Sequence, residues 1–211
     1  MVKSLLKTRA YEIRWHGRGG QGTITAAKIV AQAAYLDGYQ GVTVTPAFGA
    51  ERRGAPVSAS TRIAPEPILV TCQIEKPDVV VVLDHTLLKY EEVLSGLSED
   101  SWLIVNSPLP SHELNLKDNC NIATADATAV CRELGLMVAG ITVVDTAILG
   151  AFVRATGAVS LASIEKVITE RFPGTAREVN LAAVRRTYEI TRVWEKSEER
   201  VGHQELSAYL R

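Results

Sequence analysis

Residues Trp15 to Thr23 read WHGRGGQGT, a glycine-dense turn placed where a short apolar strand, Tyr11 to His16, gives way to an amphipathic helix. Such a turn commits the chain to a strand–helix unit, because glycine alone readily accepts the left-handed backbone and close approaches of so sharp a reversal. Gly17, Gly19 and Gly22 fit a G-x-G-x-x-G spacing, with Gly20 as an additional glycine. Backbone N–H groups at the start of the following helix would favour an anion by about 0.3–1 kcal/mol, and Arg18 would add a full charge. The same residues can equally form a plain strand-to-helix turn with no ligand, and the motif alone does not separate the two readings.

A dinucleotide site needs Asp or Glu at the end of the second strand to hold the ribose hydroxyls. Here that strand, Gly41 to Thr45, runs into Pro46, and Asp37 belongs to the turn before it. The missing acid argues against a freestanding nucleotide-binding oxidoreductase, which stays as the alternative from another functional class.

A chain of 211 residues with 46% hydrophobic content is able to bury a substantial core. Its formal net charge of −1, with acids and bases interspersed, offers no basic stripe for nucleic-acid phosphates, so no nucleic-acid partner is expected. MVKSLLKTRA is too short and too broken by Lys and Arg for a signal peptide, and no apolar run reaches the length of a membrane span. A soluble, cytoplasmic protein is expected. Cys72, Cys120 and Cys131 form no C-x-x-C pair, which points to core residues and to no metal site.

Along the chain, Thr23 to Asp37 carries apolar residues at helical spacing and stops at Gly38. Val57 to Ile63 and Ile68 to Cys72 read as a hairpin across Ala64-Pro65-Glu66-Pro67. Val79 to Leu83 is too continuously β-branched for a sheet with one wet face and reads as a central parallel strand. Asp84 sits at its carboxyl end, where open α/β sheets place ligands, and suits a helix N-cap for Leu87 to Leu97 better than a functional residue. Trp102 to Asn106 and Asn121 to Thr124 add strands, followed by a helix over Ala127 to Leu134. Three helical stretches close the pattern, near Val144 to Thr156, Leu161 to Arg171 and Val179 to Lys196, with a small-residue face of Thr146, Ala147, Gly150 and Ala151 suited to close packing. The expected fold is α/β: a three-layer, doubly wound, mostly parallel sheet with an added hairpin and a helical C-terminal flank. Residues 1–196 read as one domain, and 197–211 as a polar tail suited to a subunit-contact arm.

Pro46 to Pro56 reads PAFGAERRGAP, a link too rich in chemistry to serve as connection alone. Arg52 and Arg53 could grip a phosphate or carboxylate through bidentate forks, or Glu51 could pair with an arginine as an exposed ion pair worth about 0–1 kcal/mol. In the first motif, Gln21 could donate to a phosphate and Thr23 could cap the helix, while His16 suits a satisfied strand-end histidine better than a proton shuttle. No residue takes a general-base role, and no catalytic residue is assigned.

HGRGGQG followed by P-x-F-G-x-E-R-R-G-A-P-V resembles the gamma subunit of 2-oxoacid:ferredoxin oxidoreductases, the pyruvate enzyme (pyruvate synthase) being the nearest pattern. The similarity continues through KPDVVVVLD and TAILGAFVRATGAVSLASIEKVITERFP into an asparagine-led final helix from Asn180. The resemblance implies an accessory role in a multi-subunit enzyme that oxidatively decarboxylates a 2-oxoacid to its acyl-CoA, passing electrons to ferredoxin. Alpha, beta and iron–sulfur subunits would be the partners. Thiamine diphosphate with Mg2+ and 4Fe–4S clusters would reside on those chains, and this chain alone would be inactive. Pyruvate is the expected substrate, with 2-oxoglutarate, branched-chain 2-oxoacids, indolepyruvate and phenylglyoxylate as alternatives. Coenzyme A carries phosphates, so the resemblance makes Gly17, Arg18, Gly19, Gly20, Gln21, Gly22, Thr23, Arg52 and Arg53 candidate coenzyme A contacts. Phe48, Gly49, Glu51 and Gly54 are candidate loop or partner contacts.

Overall fold

Residue order along β1 (Tyr11–Arg18) already divides the molecule into two unlike halves. Tyr11, Ile13 and Trp15 are buried, and the alternating Glu12, Arg14, His16 and Arg18 lie on the opposite face. The computed structural model describes residues 9–47, 54–69, 72–114, 116 and 120–196. From β1 the chain passes through α1 (Thr23–Leu36) to β2 (Gly41–Ala47) and β3 (Pro56–Ala64). Then come β4 (Val79–Val82), a 3-10 turn (His85–Lys89), α2 (Glu91–Leu94), β5 (Trp102–Asn106), β6 (Asn121–Ala125) and α3 (Ala127–Glu133). A two-stranded ribbon, β7 (Met137–Val138) and β8 (Ile141–Thr142), leads to α4 (Ala147–Thr156), α5 (Leu161–Arg171), α6 (Gly174–Ile190) and β9 (Arg192–Trp194).

The main sheet runs β2-β3-β1-β4-β5-β6-β9. β1, β4, β5 and β6 are parallel neighbours, β3 is antiparallel to both β1 and β2, and β9 is antiparallel to β6. This is the α/β class expected, with a mostly parallel centre. All four valines of β4 are buried, as a strand covered on both faces requires.

On one face, α1 packs over β1, β2 and β3, and α4 packs over β5 and β6. Trp15 is fully buried there; its Nε1 donates to Thr61 Oγ1 at 3.0 Å, and its ring centroid lies 5.6 Å from that of Phe152. The other face carries a smaller apolar cluster, Val80, Val82, Leu103, Val105 and Ile122, under Leu87 and Val93. The helical C-terminus therefore supplies part of the covering layer itself. Asp37, the C-cap of α1, accepts from Ser160 N at 2.6 Å and Ser160 Oγ at 2.9 Å, placing a carboxylate at the start of α5 where the helix dipole favours it.

The hairpin partner differs from the expectation. β3 pairs with β2, and Ile68, Leu69 and Cys72 form no strand, because β1 and β2 already occupy both edges of β3. Leu69 is accordingly 93% exposed. β7, β8 and β9 have two or three residues each, too few to show an alternation. The Leu87–Leu97 helix resolves into the 3-10 turn and the single helical turn of α2. The final helix starts at Gly174, and Asn180 lies buried within it, accepting from Thr146 Oγ1 at 2.7 Å.

The small-residue face of α4 does pack closely. A Cβ at Gly150 would stand 2.2 Å from the Val184 carbonyl oxygen and 2.5 Å from the Tyr188 nitrogen of α6, both backbone atoms that cannot step aside. Gly150→Ala should therefore lower stability by about 1–3 kcal/mol or more, read as a fall in the urea midpoint with an unchanged slope. An unchanged midpoint would show that α4 and α6 separate at little cost.

Candidate functional site

The chain leaves β1 toward β2 and β3 on one side, whereas β4, β5 and β6 follow on the other. The carboxyl ends of β1 and β4 thus flank a topological switch point, where open α/β sheets place their ligands. The glycine turn leaves β1 at this point.

Within the turn, Gln21 closes the backbone on itself: its Oε1 accepts from Arg18 N at 2.8 Å and its N donates to Arg18 O at 3.0 Å. Gly20 has φ +99°, and a Cβ there would lie 2.8 Å from Ile141 Cδ1. Gly22, the N-cap of α1, has φ +85°, and its Cβ would lie 2.5 Å from Asp145 Cβ. Both positions combine a left-handed backbone with close approach of another part of the chain, so packing alone accounts for these two glycines. Thr23 does not cap α1. It follows the cap, and its buried Oγ1 has no hydrogen-bond partner.

Arg18 spends its donors inside the protein. Nε meets Asp84 Oδ2 at 2.8 Å, Nη2 donates to Thr86 Oγ1 at 2.8 Å, and Nη1 donates to the Gly54 carbonyl at 3.1 Å. Asp84 caps the 3-10 turn, accepting from Thr86 N at 3.0 Å. Burial opposes its ionisation, but bonds from Thr86 and Arg18 prevail and hold its carboxyl below the ordinary value. The capping role read for Asp84 is thus joined by an ion pair to the first motif.

The two motifs also meet through backbone. Gly19 N donates to Ala55 O at 2.9 Å, and Gly54 N donates to Gly19 O at 3.1 Å. The base of the arginine loop is therefore fastened to the glycine turn, although Phe48, Gly49, Glu51, Arg52 and Arg53 themselves lie outside the described residues.

Two titratable groups here were missed or misread from sequence. His16 is not a satisfied histidine: its Nε2 is buried without a partner, and burial, helped by Arg14, pushes its pKa down to about 4. Asp145, 7% exposed against Gly22, has its pKa pushed up to about 6 by burial, opposed by the bond from Thr146 N. No local pattern marks Asp145, because Gly22 is distant along the chain.

Cys120 and Cys131 are buried, and burial pushes the Cys131 thiol up to about 12; Cys72 is exposed, contrary to the core reading. Among the described residues no group of three or more His, Cys, Asp or Glu side chains could hold a metal ion, and no helix is long and apolar enough to cross a membrane. β3 stands between β1 and β2, so the parallel neighbour that carries the ribose-binding acid in a dinucleotide site is absent from this edge.

Residues 12–190 match the family model described as pyruvate ferredoxin/flavodoxin oxidoreductase. The chain belongs to this family. It is 46% identical over 187 residues to the common gamma subunit of the pyruvate/ketoisovalerate oxidoreductases of Pyrococcus furiosus, covering 87% of this chain and 98% of that protein. It is also 46% identical over 178 residues to pyruvate synthase subunit PorC of Methanothermobacter marburgensis, covering 84% of this chain and 96% of the relative. The crystal structure of pyruvate oxidoreductase subunit PORC from Thermotoga maritima superposes with a TM-score of 0.76 at 40% identity, covering 89% of this chain and 100% of that one. The protein is accordingly a gamma subunit of the 2-oxoacid:ferredoxin oxidoreductase type and part of an oxidoreductase complex.

The shifted groups predict opposing pH dependences. His16 is held neutral in the fold, so its contribution is present above pH 6.5 and lost as pH falls toward 4. Asp145 is held protonated, so its contribution is present below pH 3.8 and lost as pH rises through 6. Each is worth on the order of 3 kcal/mol, and they offset across pH 4 to 6. Asp145→Asn should give a melting temperature that rises with pH over this window, and His16→Gln one that falls. Parallel profiles for the two variants, measured by calorimetry, would refute these assignments.

Proposed function

We propose that this gamma subunit serves a complex that oxidatively decarboxylates a 2-oxoacid, pyruvate first among the candidates, to its acyl-CoA with electrons passed to ferredoxin. In this reading, thiamine diphosphate with Mg2+ and 4Fe–4S clusters belongs to the alpha, beta and iron–sulfur chains of a cytoplasmic assembly. The scattered Cys72, Cys120 and Cys131 are in keeping with clusters held elsewhere. The isolated chain would then be inactive, and residues 197–211 would be an arm laid on a neighbouring subunit.

The part proposed for this chain is to present the switch-point end of its sheet to coenzyme A. One observation supports it: the backbone bonds between Gly19 and Ala55 and between Gly54 and Gly19 fasten the Gly54–Ala55 end of the Pro46 to Pro56 segment to the glycine turn at the carboxyl end of β1. There the first turn of α1 contains no acidic residue and no side chain caps it, although Asp145 packs against its N-cap Gly22. Arg18, already paired with Asp84, would act as a positioning residue that holds Gly54 and the loop base. Arg52 and Arg53 would supply the charge that meets the coenzyme phosphates.

Arg52→Glu should raise the Michaelis constant for coenzyme A roughly tenfold to a hundredfold, the scale of a lost charge-assisted hydrogen bond, with the complex still eluting intact. Dissociation of the subunits, or an unchanged constant, would remove coenzyme A from this chain's role.

A further inference from the structure

The main sheet ends differently at its two edges. β9 closes one edge with three residues, and exposed Arg192 sets a charge beside its unpaired backbone. Short, charged edge strands are a common protection against pairing with another chain. β2 closes the other edge with seven residues, GVTVTPA, and no charge among them. Among the described residues, no strand pairs with the outer side of β2. Pro46 lacks an N–H and blunts only the far end, which leaves Gly41 to Thr45 as a β-branched, uncharged template for a further strand.

The ground beside β2 is equally open. Tyr35 and Leu36, at the end of α1, are 70% and 39% exposed. Both line an open hollow of about 570 Å³, together with Val42 of β2 and Val167 of α5. Glu170 and Arg171, exposed neighbours of opposite charge at the end of α5, line it too. Neither makes an ion pair among the described residues; Arg171 lies over the Phe172 ring, 6.0 Å from its centroid. Exposed tyrosine and leucine around a hollow are the material of a protein contact, with charges at its margin. One acid beside one base is moreover self-complementary: turned about a two-fold axis, each meets its opposite.

We propose that β2 pairs antiparallel with β2 of a second copy of this chain, about a two-fold axis normal to the sheet near Thr43. Such an axis keeps both α1 helices on one face, so the two hollows meet beside the joined edges. Val42 of each copy stands opposite Val44 of the other, a β-branched pair of the kind that stabilises antiparallel strands. Tyr35 and Leu36 leave water, and Glu170 of each copy reaches Arg171 of the other, as an isologous contact requires. A partner of one charge sign would satisfy only one of those two side chains, whereas a second copy satisfies both. The contact uses none of the candidate coenzyme A residues and stands apart from that proposal.

Sedimentation equilibrium of the full chain should show a monomer–dimer equilibrium, and hydrogen exchange should show amides of Val42 to Thr45 better protected at high protein concentration than at low. Tyr35→Glu, at an exposed position, should weaken the dimer at least about tenfold with an unchanged far-ultraviolet spectrum. Glu170→Arg or Arg171→Glu alone sets like charges across the axis and should weaken it about three- to tenfold, and the two exchanges combined should bring it back near the parent value. In the intact complex, a photo-crosslinking phenylalanine analogue at position 35 should join one gamma subunit to another. The proposal is overturned if the parent chain stays monomeric up to its solubility limit, or if Tyr35→Glu and the single charge exchanges dimerise like the parent. It is equally overturned if the combined exchange recovers nothing, or if position 35 cross-links to a different subunit instead.

Discussion

The bond from Arg18 to Asp84 spans the place where the sheet reverses its winding between β1 and β4. β1 ends at Arg18, β4 gives way to Asp84 one residue after Leu83, and the two strands are parallel neighbours whose continuations leave in opposite directions. With side chains 28% and 17% exposed, the pair is sheltered enough that losing either partner would strand a charge. The same guanidinium reaches Thr86 and Gly54, so one side chain ties together the end of β1, the cap after β4 and the entry to β3. The relative placement of turn, cap and loop follows from that junction.

Much of the architecture was readable where a strand or helix satisfies its own pattern. Val79 to Val82 declares itself because both faces are buried, and Leu161 to Arg171 because Ser160 caps it and Ile164, Val167 and Ile168 fall on one side. Strand partners were less readable. The alternation in β3 shows a strand, but the choice of β2 over the following segment depends on which edges remain open once β1 is placed. β9 is recognisable only by its pairing with β6, since three residues carry no usable period.

The site shows the same division. Both motifs stood out in the sequence, and the structure joins them through Gly19, Gly54 and Ala55. Sequence could show where the glycines fall, but not what presses on them: Ile141 and Asp145 come from a distant stretch that folds back over the turn. His16 belongs to a strand whose alternate residues are all polar, a pattern consistent with an open face. Its unmet nitrogen becomes visible only when α1 is seen to cover the other side.

The packing around the turn bears on how a gamma subunit can serve an oxidoreductase complex. The turn is clamped by Gln21 from within, by Ile141 and Asp145 from one side and by Gly54 and Ala55 from the other. A backbone so closely held gains little by moving, because Gly20 and Gly22 already occupy the conformation that glycine alone accepts without strain. Adaptability at this end of the sheet is then left to what is mounted on this base. Arg18 fixes the base, and the segment between Ala47 and Gly54 carries Arg52 and Arg53 in its sequence. A closely packed base beneath a loop with this charged sequence suits a subunit that presents contacts within a larger oxidoreductase.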